Sequence, residues 1–185
     1  TIALLLGTLV LAGPVLPVYA VEPGLWQQPD ASLRHQQFVA ESLADLDAAL
    51  RKLGQGLWIE QGELPRAFER IHRRFGFAAI HAHEETGNAW TFERDRRVRA
   101  WCRERGIAFC EYRQFGVVRG LADRDGWARR WEAFMAEPPS PAPERLGTVV
   151  ETADSNEPFK RAPPFDATPA PGRQQGGVRS GREVL

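Results

Sequence analysis

Apolar runs alternate with amphipathic stretches along most of the chain, and the clearest case lies near its middle. The run 77–80 predicts a buried strand, and a polar turn follows over 83–88. A helix is predicted over 91–105, and Gly106 ends it. Its apolar side is formed by Phe92, Val98, Trp101 and Cys102. The run 107–110 begins a second strand, so this stretch predicts a βαβ unit with parallel strands.

The same alternation is predicted upstream of this unit. In order, it comprises a helix stub over 2–12, a buried strand over 15–21, a helix over 33–53, a strand over 57–59 and a helix over 64–75. Ser32 is placed to cap the longest of these helices. We therefore expect an α/β fold, a Rossmann-like doubly wound parallel sheet with helices on both faces. Such sheets bind ligands at the carboxyl ends of their strands, where function is expected.

Residues 1–20 permit a second interpretation. They resemble the core of a signal peptide that ends in Val-Tyr-Ala, but no basic region precedes this core. Pro14 and Pro17 interrupt the apolar run before it reaches a length that spans a membrane. We therefore favour the helix stub and the buried strand. Because the chain then starts within a helix and without Met, we expect it to be a fragment of a longer protein.

The composition changes towards the C-terminus. A short amphipathic helix is predicted over 125–135. It is expected to bury Trp127, Trp131 and Phe134. Beyond it prolines recur too often for a long element, and residues 172–177 have the composition of a flexible linker. We predict an α/β domain over 1–136 and an interdomain linker over 137–185 that leads into a second domain.

Charge and cysteine content exclude several classes of function. Lys and Arg together number 24, as do Asp and Glu, so the formal net charge is zero. A nucleic-acid binder in its own right needs a basic surplus, and the arginines over 94–105 are interpreted as a solvated face. The 2 cysteines, Cys102 and Cys110, are too few for a zinc site or a disulfide framework. We expect them to be buried, apolar thiols of a cytoplasmic protein.

Few residue patterns indicate chemistry. His81 and His83 face the same side of a predicted strand, and Glu84 and Glu85 follow, but no further ligand completes a metal site. No Ser-His-Asp arrangement, phosphate-binding loop or pair of acid and base carboxylates is evident in the sequence. We therefore predict no catalytic residue and no metal site. Most of the tryptophans fall on apolar faces, which favours core packing over an electron-transfer chain.

Four blocks of the sequence occur in an informative order and spacing. They are Pro14–Tyr19 with Glu22-Pro23, the pattern Phe38-x-x-Glu41-Ser42-Leu43-x-x-Leu46, the turn Glu85-Thr86-Gly87 with Glu93-Arg94-Asp95, and Arg105-Gly106-Ile107. In this arrangement they resemble the N-terminal α/β domain of the photolyase/cryptochrome family of blue-light flavoproteins. The stretch 171–185 looks like the linker that enters the helical flavin domain of that family.

The resemblance implies a light-harvesting domain rather than a catalytic one. In this family the N-terminal domain holds an antenna chromophore, which is a folate, a deazaflavin or a flavin-like molecule. The chromophore passes excitation energy to FAD in the C-terminal helical domain, where electron transfer repairs pyrimidine dimers in DNA or drives signalling. The resemblance thus implies that the partner of this domain is the missing FAD domain, that DNA is bound only through it, and that no membrane is involved.

Two departures from the family pattern are evident. The first strand of the family and the Arg-Asp-rich loop after it are absent, and that strand lies at the centre of the family's sheet. The stretch 115–127 also differs from the usual photolyase pattern, which indicates a bacterial side branch.

A candidate antenna site lies where two predicted strands end. Its residues are Glu22, Pro23, Trp26 and Phe38, at or after the end of the strand over 15–21, and Glu84, Glu85 and Thr86, after the strand over 77–82. Aromatic rings at such an edge stack on a planar heteroaromatic ligand, and carboxylates accept hydrogen bonds from its ring N–H groups. Ordinary turn chemistry, with a tryptophan at the rim, is the alternative explanation of the same residues.

A different class of function shares the predicted sheet. A stand-alone nucleotide- or small-ligand-binding α/β module without catalysis has this topology, but it normally carries a glycine-rich phosphate loop after a strand. The pair Gly54 and Gly56 follows a helix instead, and no third glycine is in place. The absence of this motif weighs against the alternative. Ligand preference separates the two, since an antenna site takes a folate or deazaflavin and a nucleotide site takes ATP or AMP.

Overall fold

Five strands and six helices make up the described part of the chain, which comprises residues 2–5, 14–113, 116–138, 140–141, 143–149 and 170–184 of a computed structural model. The strands are β1 (Ile2–Leu5), β2 (Leu16–Val21), β3 (Trp58–Gln61), β4 (Ala79–His83) and β5 (Ala108–Tyr112). The helices are α1 (Pro23–Trp26), α2 (Leu33–Lys52), α3 (Arg66–Phe75), α4 (Ala89–Glu104), α5 (Trp127–Met135) and α6 (Val178–Val184). From β2 to β5 strands alternate with helices as the sequence predicts, except that the short helix α1 lies between β2 and α2, where only a loop is expected.

The strands form one sheet in the order β3-β2-β1-β4-β5. The pairs β2–β3 and β4–β5 are parallel. A helix connects the two strands of each pair, α2 in the first and α4 in the second. The expected βαβ units are therefore present, and the predicted α/β class with parallel strands and helices is confirmed.

The first strand departs from the prediction. The helix stub expected over 2–12 is wrong for Ile2–Leu5, which is a strand at the centre of the sheet, antiparallel to β2 and β4. Residues 6–13 lie outside the described part of the chain. The inner edges of β2 and β4 carry backbone groups that need partners, and an apolar run between them supplies these partners. This tertiary demand overrides local helix propensity, so the sheet is mixed and its central position is filled.

Helices cover both faces of the sheet. Neighbouring residues of β2 point to opposite sides, and all of its residues are buried. Val18 belongs to a hydrophobic cluster with Phe68 of α3 and Trp101 of α4. Tyr19 belongs to a second cluster with Leu43 of α2. The continuous apolar run of this strand therefore reflects packing against a helical layer on each side.

The long helix α2 begins and ends close to the predicted residues. Ser32 caps it, since its hydroxyl oxygen accepts a backbone N–H of the first turn at 3.5 Å. Gly54 follows it with a φ of +104°, a value that favours glycine. Residues 143–149 return to this end of α2, where Leu146 is buried and its N–H donates to the Leu53 carbonyl at 2.7 Å. The segment after α5 therefore contributes to the core of the α/β unit.

The helix α5 is more exposed than its amphipathic pattern predicts. The expectation that Trp127 and Trp131 are buried is wrong, because each is 41% exposed. Trp131 covers Gly116, and Phe134 packs under the guanidinium of Arg113 at 5.4 Å. An amphipathic pattern indicates a face that another surface can cover, without saying which one. Neither α5 nor any other helix in the described residues has the length and apolar character needed to cross a bilayer.

Candidate functional site

A cavity of about 330 Å³ lies at the carboxyl end of β4. It is lined by Glu85, Thr86, Gly87, Asn88, Ala89, Thr91, Phe92, Val117 and Arg119. These residues belong to the loop between β4 and α4, to the first turn of α4 and to the segment after β5. The cavity therefore lies at the edge where α/β sheets bind ligands and where the sequence predicts a site.

The loop that forms one wall of the cavity is held by its own hydrogen bonds. One carboxylate oxygen of Glu85 accepts the backbone N–H groups of Thr86 and Gly87, both at 3.0 Å. Asn88 caps α4, because its side-chain oxygen accepts a backbone N–H of the first turn at 3.1 Å. Its amide nitrogen also donates to both carboxylate oxygens of Asp30 at 3.0 Å. The loops after β2 and β4 are thereby joined.

A buried group of charges, which we call the Arg94 cluster, comprises Arg94, Glu22, Asp95 and Glu85. The side chain of Arg94 is 1% exposed and that of Glu22 is 2% exposed. Arg94 donates to a carboxylate oxygen of Glu22 at 3.0 Å and to one of Asp95 at 2.9 Å. It also donates to Glu85 at 3.4 Å. One guanidinium thus joins the end of β2, the helix α4 and the cavity loop.

Burial and charge act in opposite directions on the pKa values of this cluster. Burial raises the pKa of Glu22, and the charge of Arg94 together with a hydrogen bond from the Leu64 N–H at 2.9 Å opposes that rise. Burial by itself would lower the pKa of Arg94, but Glu22 and Asp95 raise it, so the guanidinium stays charged. Charges buried this deeply are stable only while their partners remain.

Arg119 closes the cavity from the side of β5. Its Nε donates to the carbonyl oxygen of Glu85 at 2.7 Å. Its two terminal nitrogens donate to Glu111 at 2.8 Å and to Asp95 at 3.2 Å. Burial opposes the charge of Arg119, but these carboxylates raise its pKa. The cavity therefore has one cationic wall whose position is fixed by protein acceptors.

Part of the predicted antenna set lies at this cavity. Glu85 and Thr86 line it. Glu22 is not among the residues that line it, but it shares Arg94 with Glu85. The loop after β2 also reaches this edge, because Gly24 packs directly against the ring of Trp90 in α4. The structure therefore brings together the ends of the two strands that the sequence singled out.

The other predicted antenna residues are not among those that line the cavity. Pro23 and Trp26 belong to α1, and Trp26 packs against the second hydrophobic cluster. Phe38 is an exposed residue of α2. The backbone N–H of Glu84 donates to the Tyr112 carbonyl at 2.8 Å, which extends the pairing of β4 with β5.

Arg94 and Asp95 are buried charged residues behind the cavity loop that the sequence reasoning did not single out. The buried positions of α4 are 91, 94, 95, 98, 101 and 102, a helical stripe that includes both. The interpretation of the α4 arginines as a solvated face is therefore wrong for Arg94, although it holds for exposed neighbours such as Arg96. Phe92, predicted on the apolar side of α4, is 54% exposed and lines the cavity. The helical spacing of these positions indicated a buried stripe, but Arg94 and Asp95 were not assigned to it because charged residues are usually exposed.

The paired histidines of β4 have separate environments. The ring nitrogen Nδ1 of His81 lies 2.8 Å from the Tyr112 hydroxyl, and the two rings stack. Burial lowers the pKa of His81. His83 is exposed. Among the described residues, no group of three or more His, Cys, Asp or Glu side chains is arranged to hold a metal ion.

Comparison with known proteins gives a family match and a set of similar folds. A family model described as DNA photolyase matches residues 4–118, more than half of the chain. A bacterial class III photolyase from Agrobacterium tumefaciens superposes with a TM-score of 0.63 at 19% identity. The alignment covers 88% of this chain and 34% of that protein. At this identity the likeness shows the fold.

Two further structures have the same fold. An archaeal photolyase from Sulfolobus tokodaii, described with two FAD molecules and a novel light-harvesting cofactor, gives a TM-score of 0.61 at 25% identity over 91% of this chain and 39% of that one. A cryptochrome from Synechocystis gives 0.60 at 18% identity over 74% of this chain and 32% of that one. The chain therefore spans between about a third and two fifths of the length of these proteins.

Proposed function

Because the chain belongs to the DNA photolyase family, we propose that it is the light-harvesting α/β domain of a blue-light flavoprotein. Its own task would be to hold an antenna chromophore at the carboxyl end of the sheet. When bound, the chromophore would absorb light and pass the excitation to FAD in a separate helical domain. FAD binding, DNA contact and repair or signalling would belong to that domain, and the protein would be cytoplasmic, in keeping with its free thiols.

The observation that carries this proposal is the cavity after β4. It is an open cleft of about 330 Å³, a volume near the lower end of the range for small-molecule sites. Phe92 and Val117 line it and are exposed, although both are large and apolar. A planar ring system that covered them would remove apolar surface from water. The residues present therefore fit a folate, deazaflavin or flavin-like ring.

The polar groups of the cavity have complementary roles. Arg119 lines the cavity, and an anionic group of the chromophore, such as a carboxylate or phosphate, would compete with Glu85, Glu111 and Asp95 for its N–H groups. The exposed Thr86 offers a hydroxyl at the rim. Glu85 shapes the loop, since its carboxylate holds the backbone of the turn. Binding and orientation of the ring would then be shared between an apolar face and a cationic wall.

One solved relative supports a chromophore in addition to FAD. The Sulfolobus tokodaii photolyase is described as holding two FAD molecules, with the implication of a novel light-harvesting cofactor. That description concerns the relative, and the chemical identity of an antenna in this chain is part of our proposal. The alternative of a stand-alone nucleotide-binding module is not favoured, because the family match covers most of the α/β unit.

A binding titration tests the proposed function. The chain is titrated with methenyltetrahydrofolate, a deazaflavin, FMN and ATP, and fluorescence polarisation or quenching is recorded. We expect saturable binding of one of the three chromophores and none of ATP. Phe92→Ala should weaken this binding by about tenfold, because it removes the main apolar contact.

The matched control is Met135→Ala. Met135 lies on α5 and is 54% exposed, as Phe92 is, but it is not among the cavity residues. This variant should bind as the parent does. Saturable ATP binding in place of a chromophore, or equal weakening by both variants, would contradict the proposal.

A further inference from the structure

The C-terminal segment 170–178 lies along the outer side of α2. The Ala170 N–H donates to the side-chain oxygen of Gln37 at 3.1 Å. Arg173 donates through both terminal nitrogens to the two carboxylate oxygens of Glu41, at 2.8 and 2.5 Å. This fork-to-fork geometry fixes the direction of the segment as well as its position. The contacts therefore follow a specific register along the helix.

Three consecutive backbone N–H groups of the segment are bound by side chains of α2. Gly176 donates to Glu41 at 2.8 Å, Gly177 donates to the Ser42 hydroxyl at 3.2 Å, and Val178 donates to Asp45 at 2.8 Å. Val178 is the first residue of α6, so the Asp45 carboxylate supplies an acceptor that the start of this helix lacks within itself. We call Glu41, Ser42 and Asp45 the α2 clasp.

The two glycines are required by this contact, each for a different reason. A Cβ at Gly176 would overlap the carbonyl oxygen of Phe38 and lie 2.6 Å from the Ser42 hydroxyl oxygen. The backbone of the segment therefore lies directly against the backbone of α2. Gly177 has a φ of +101°, a conformation that side chains disfavour. The glycine pair, which the sequence suggests is flexible, instead permits close approach and a turn.

The residues of α2 that bind the segment follow the helical period. Gln37, which accepts from Ala170, and the clasp residues Glu41 and Asp45 are spaced by four residues and lie on one face of α2, with Ser42 beside them. Leu43 and Leu50 of the same helix are buried in the second hydrophobic cluster. The helix α2 thus packs against the sheet with an apolar face and binds the C-terminal segment with a polar face.

We propose that the α2 clasp is a binding site for the segment Arg173–Val178, and that it sets where α6 begins and the direction in which the chain leaves the α/β unit. The clasp residues are positioning residues, because they act on the chain and not on a ligand. The inference does not depend on the proposed chromophore. If that proposal also holds, the clasp would orient whatever follows α6 relative to the antenna cavity.

Amide hydrogen exchange on the full chain tests the clasp residue by residue. We expect the N–H groups of Gly176, Gly177 and Val178 to be protected in the parent, although the segment contributes little to the core. Gly176→Ala should speed their exchange by about tenfold, since the added methyl group separates the two backbones. Core amides of β2 should keep their parent rates, which distinguishes release of the segment from unfolding.

Gly181→Ala is the matched glycine control. Gly181 lies within α6, and a Cβ there would meet nothing within 4 Å. This variant should keep the protection of the three amides. Unprotected amides at 176–178 in the parent, or parent-like protection in Gly176→Ala, would overturn the proposal.

A second variant changes a clasp residue of α2 instead of a residue of the segment. Glu41→Ala removes the acceptor of Arg173 and of the Gly176 N–H without adding bulk to the segment. We expect the same three amides to exchange faster, while Lys52→Ala, an exposed change on the same helix, leaves them unchanged. If Glu41→Ala leaves their exchange unchanged, the clasp does not hold the segment and the proposal fails.

Discussion

Two of the arginine–carboxylate arrangements that join distant segments in the described residues differ in their access to water. In the Arg94 cluster, Arg94 and Glu22 are almost wholly buried and connect α4 with the end of β2. At the α2 clasp, Glu41 is 36% exposed and pairs with Arg173 of the C-terminal segment, whose side chain is 16% exposed. Each arrangement contains an Arg–Glu pair, but Arg94 contacts three carboxylates and Arg173 contacts one, so the two differ in burial and in the number of partners.

Burial determines how much the free energy of unfolding falls when one partner of each arrangement is removed. Removal of one partner from a buried pair leaves a charge that water does not reach. At a partly exposed pair, water replaces the missing partner, and the net contribution is typically about 0–1 kcal/mol. We therefore expect the Arg94 cluster to decide whether the edge of the sheet folds. The clasp should decide only where the C-terminal segment lies.

The largest effect is expected from Arg94→Met. Glu22 would stay buried without its cation and Asp95 would keep only Arg119, so the free energy of unfolding should fall by about 3–5 kcal/mol. Urea unfolding followed by circular dichroism measures this change. Arg96→Met, on the exposed side of the same helix, is the control and should change the value by less than about 0.5 kcal/mol. Similar small losses in both variants would contradict the central role of Arg94.

A double variant sharpens the same comparison. Glu22→Leu combined with Arg94→Met removes both buried charges, so part of the loss of the single variant should be recovered, about 1–2 kcal/mol. Additive losses would indicate that lost packing, and not an unpaired charge, causes the destabilisation.

A much smaller effect on stability is expected from Glu41→Ala. The clasp pair is partly exposed, so the free energy of unfolding should fall by less than about 1 kcal/mol. The same urea unfolding measures it. A loss as large as that of Arg94→Met would remove the distinction between the two arrangements.

The smallest effects concern pH, and the two glutamates should differ in sign. Burial raises the pKa of Glu22, so its folded form retains a proton above the ordinary value of 4.5, and stability falls as pH rises through that window. The hydrogen bond from Arg173 lowers the pKa of Glu41 below 4.5, so its contribution is present above that value and is lost as pH falls through the lower pKa.

Urea unfolding across this pH range measures the two signs. Glu22→Gln should remove a downward slope of stability above pH 4.5, and Glu41→Gln should remove an upward slope below it. Slopes of the same sign for both residues would contradict the assigned environments.

The regular part of the fold could be predicted because its signals are local. The apolar run of β2 and the Ser32 cap of α2 depend on neighbouring residues only. The strand Ile2–Leu5 could not be predicted, because its conformation depends on the open edges of β2 and β4. The exposure of Trp127 and Trp131 could not be predicted for a related reason. An amphipathic pattern shows that a helix has an apolar face, but it does not identify the surface that covers this face.

The candidate site was predictable in position and less so in composition. The carboxyl end of β4 follows from topology, and Glu85 and Thr86 line the cavity there, while their part in binding an antenna stays a prediction. Arg94 was missed because charged side chains are usually exposed, although its place in the stripe of α4 was visible. Arg119 comes from a segment with no regular element, so its return to the cavity depends on tertiary contacts with Asp95 and Glu111.

The most direct test of the account locates the chromophore on the chain. Amide chemical shifts are recorded by NMR before and after addition of the chromophore that binds in the titration. We expect the largest changes at Thr86, Gly87 and Asn88, with none at the clasp amides of Gly176 and Gly177. Changes confined to another surface, or no changes at all with the three chromophores, would contradict an antenna site at the end of β4.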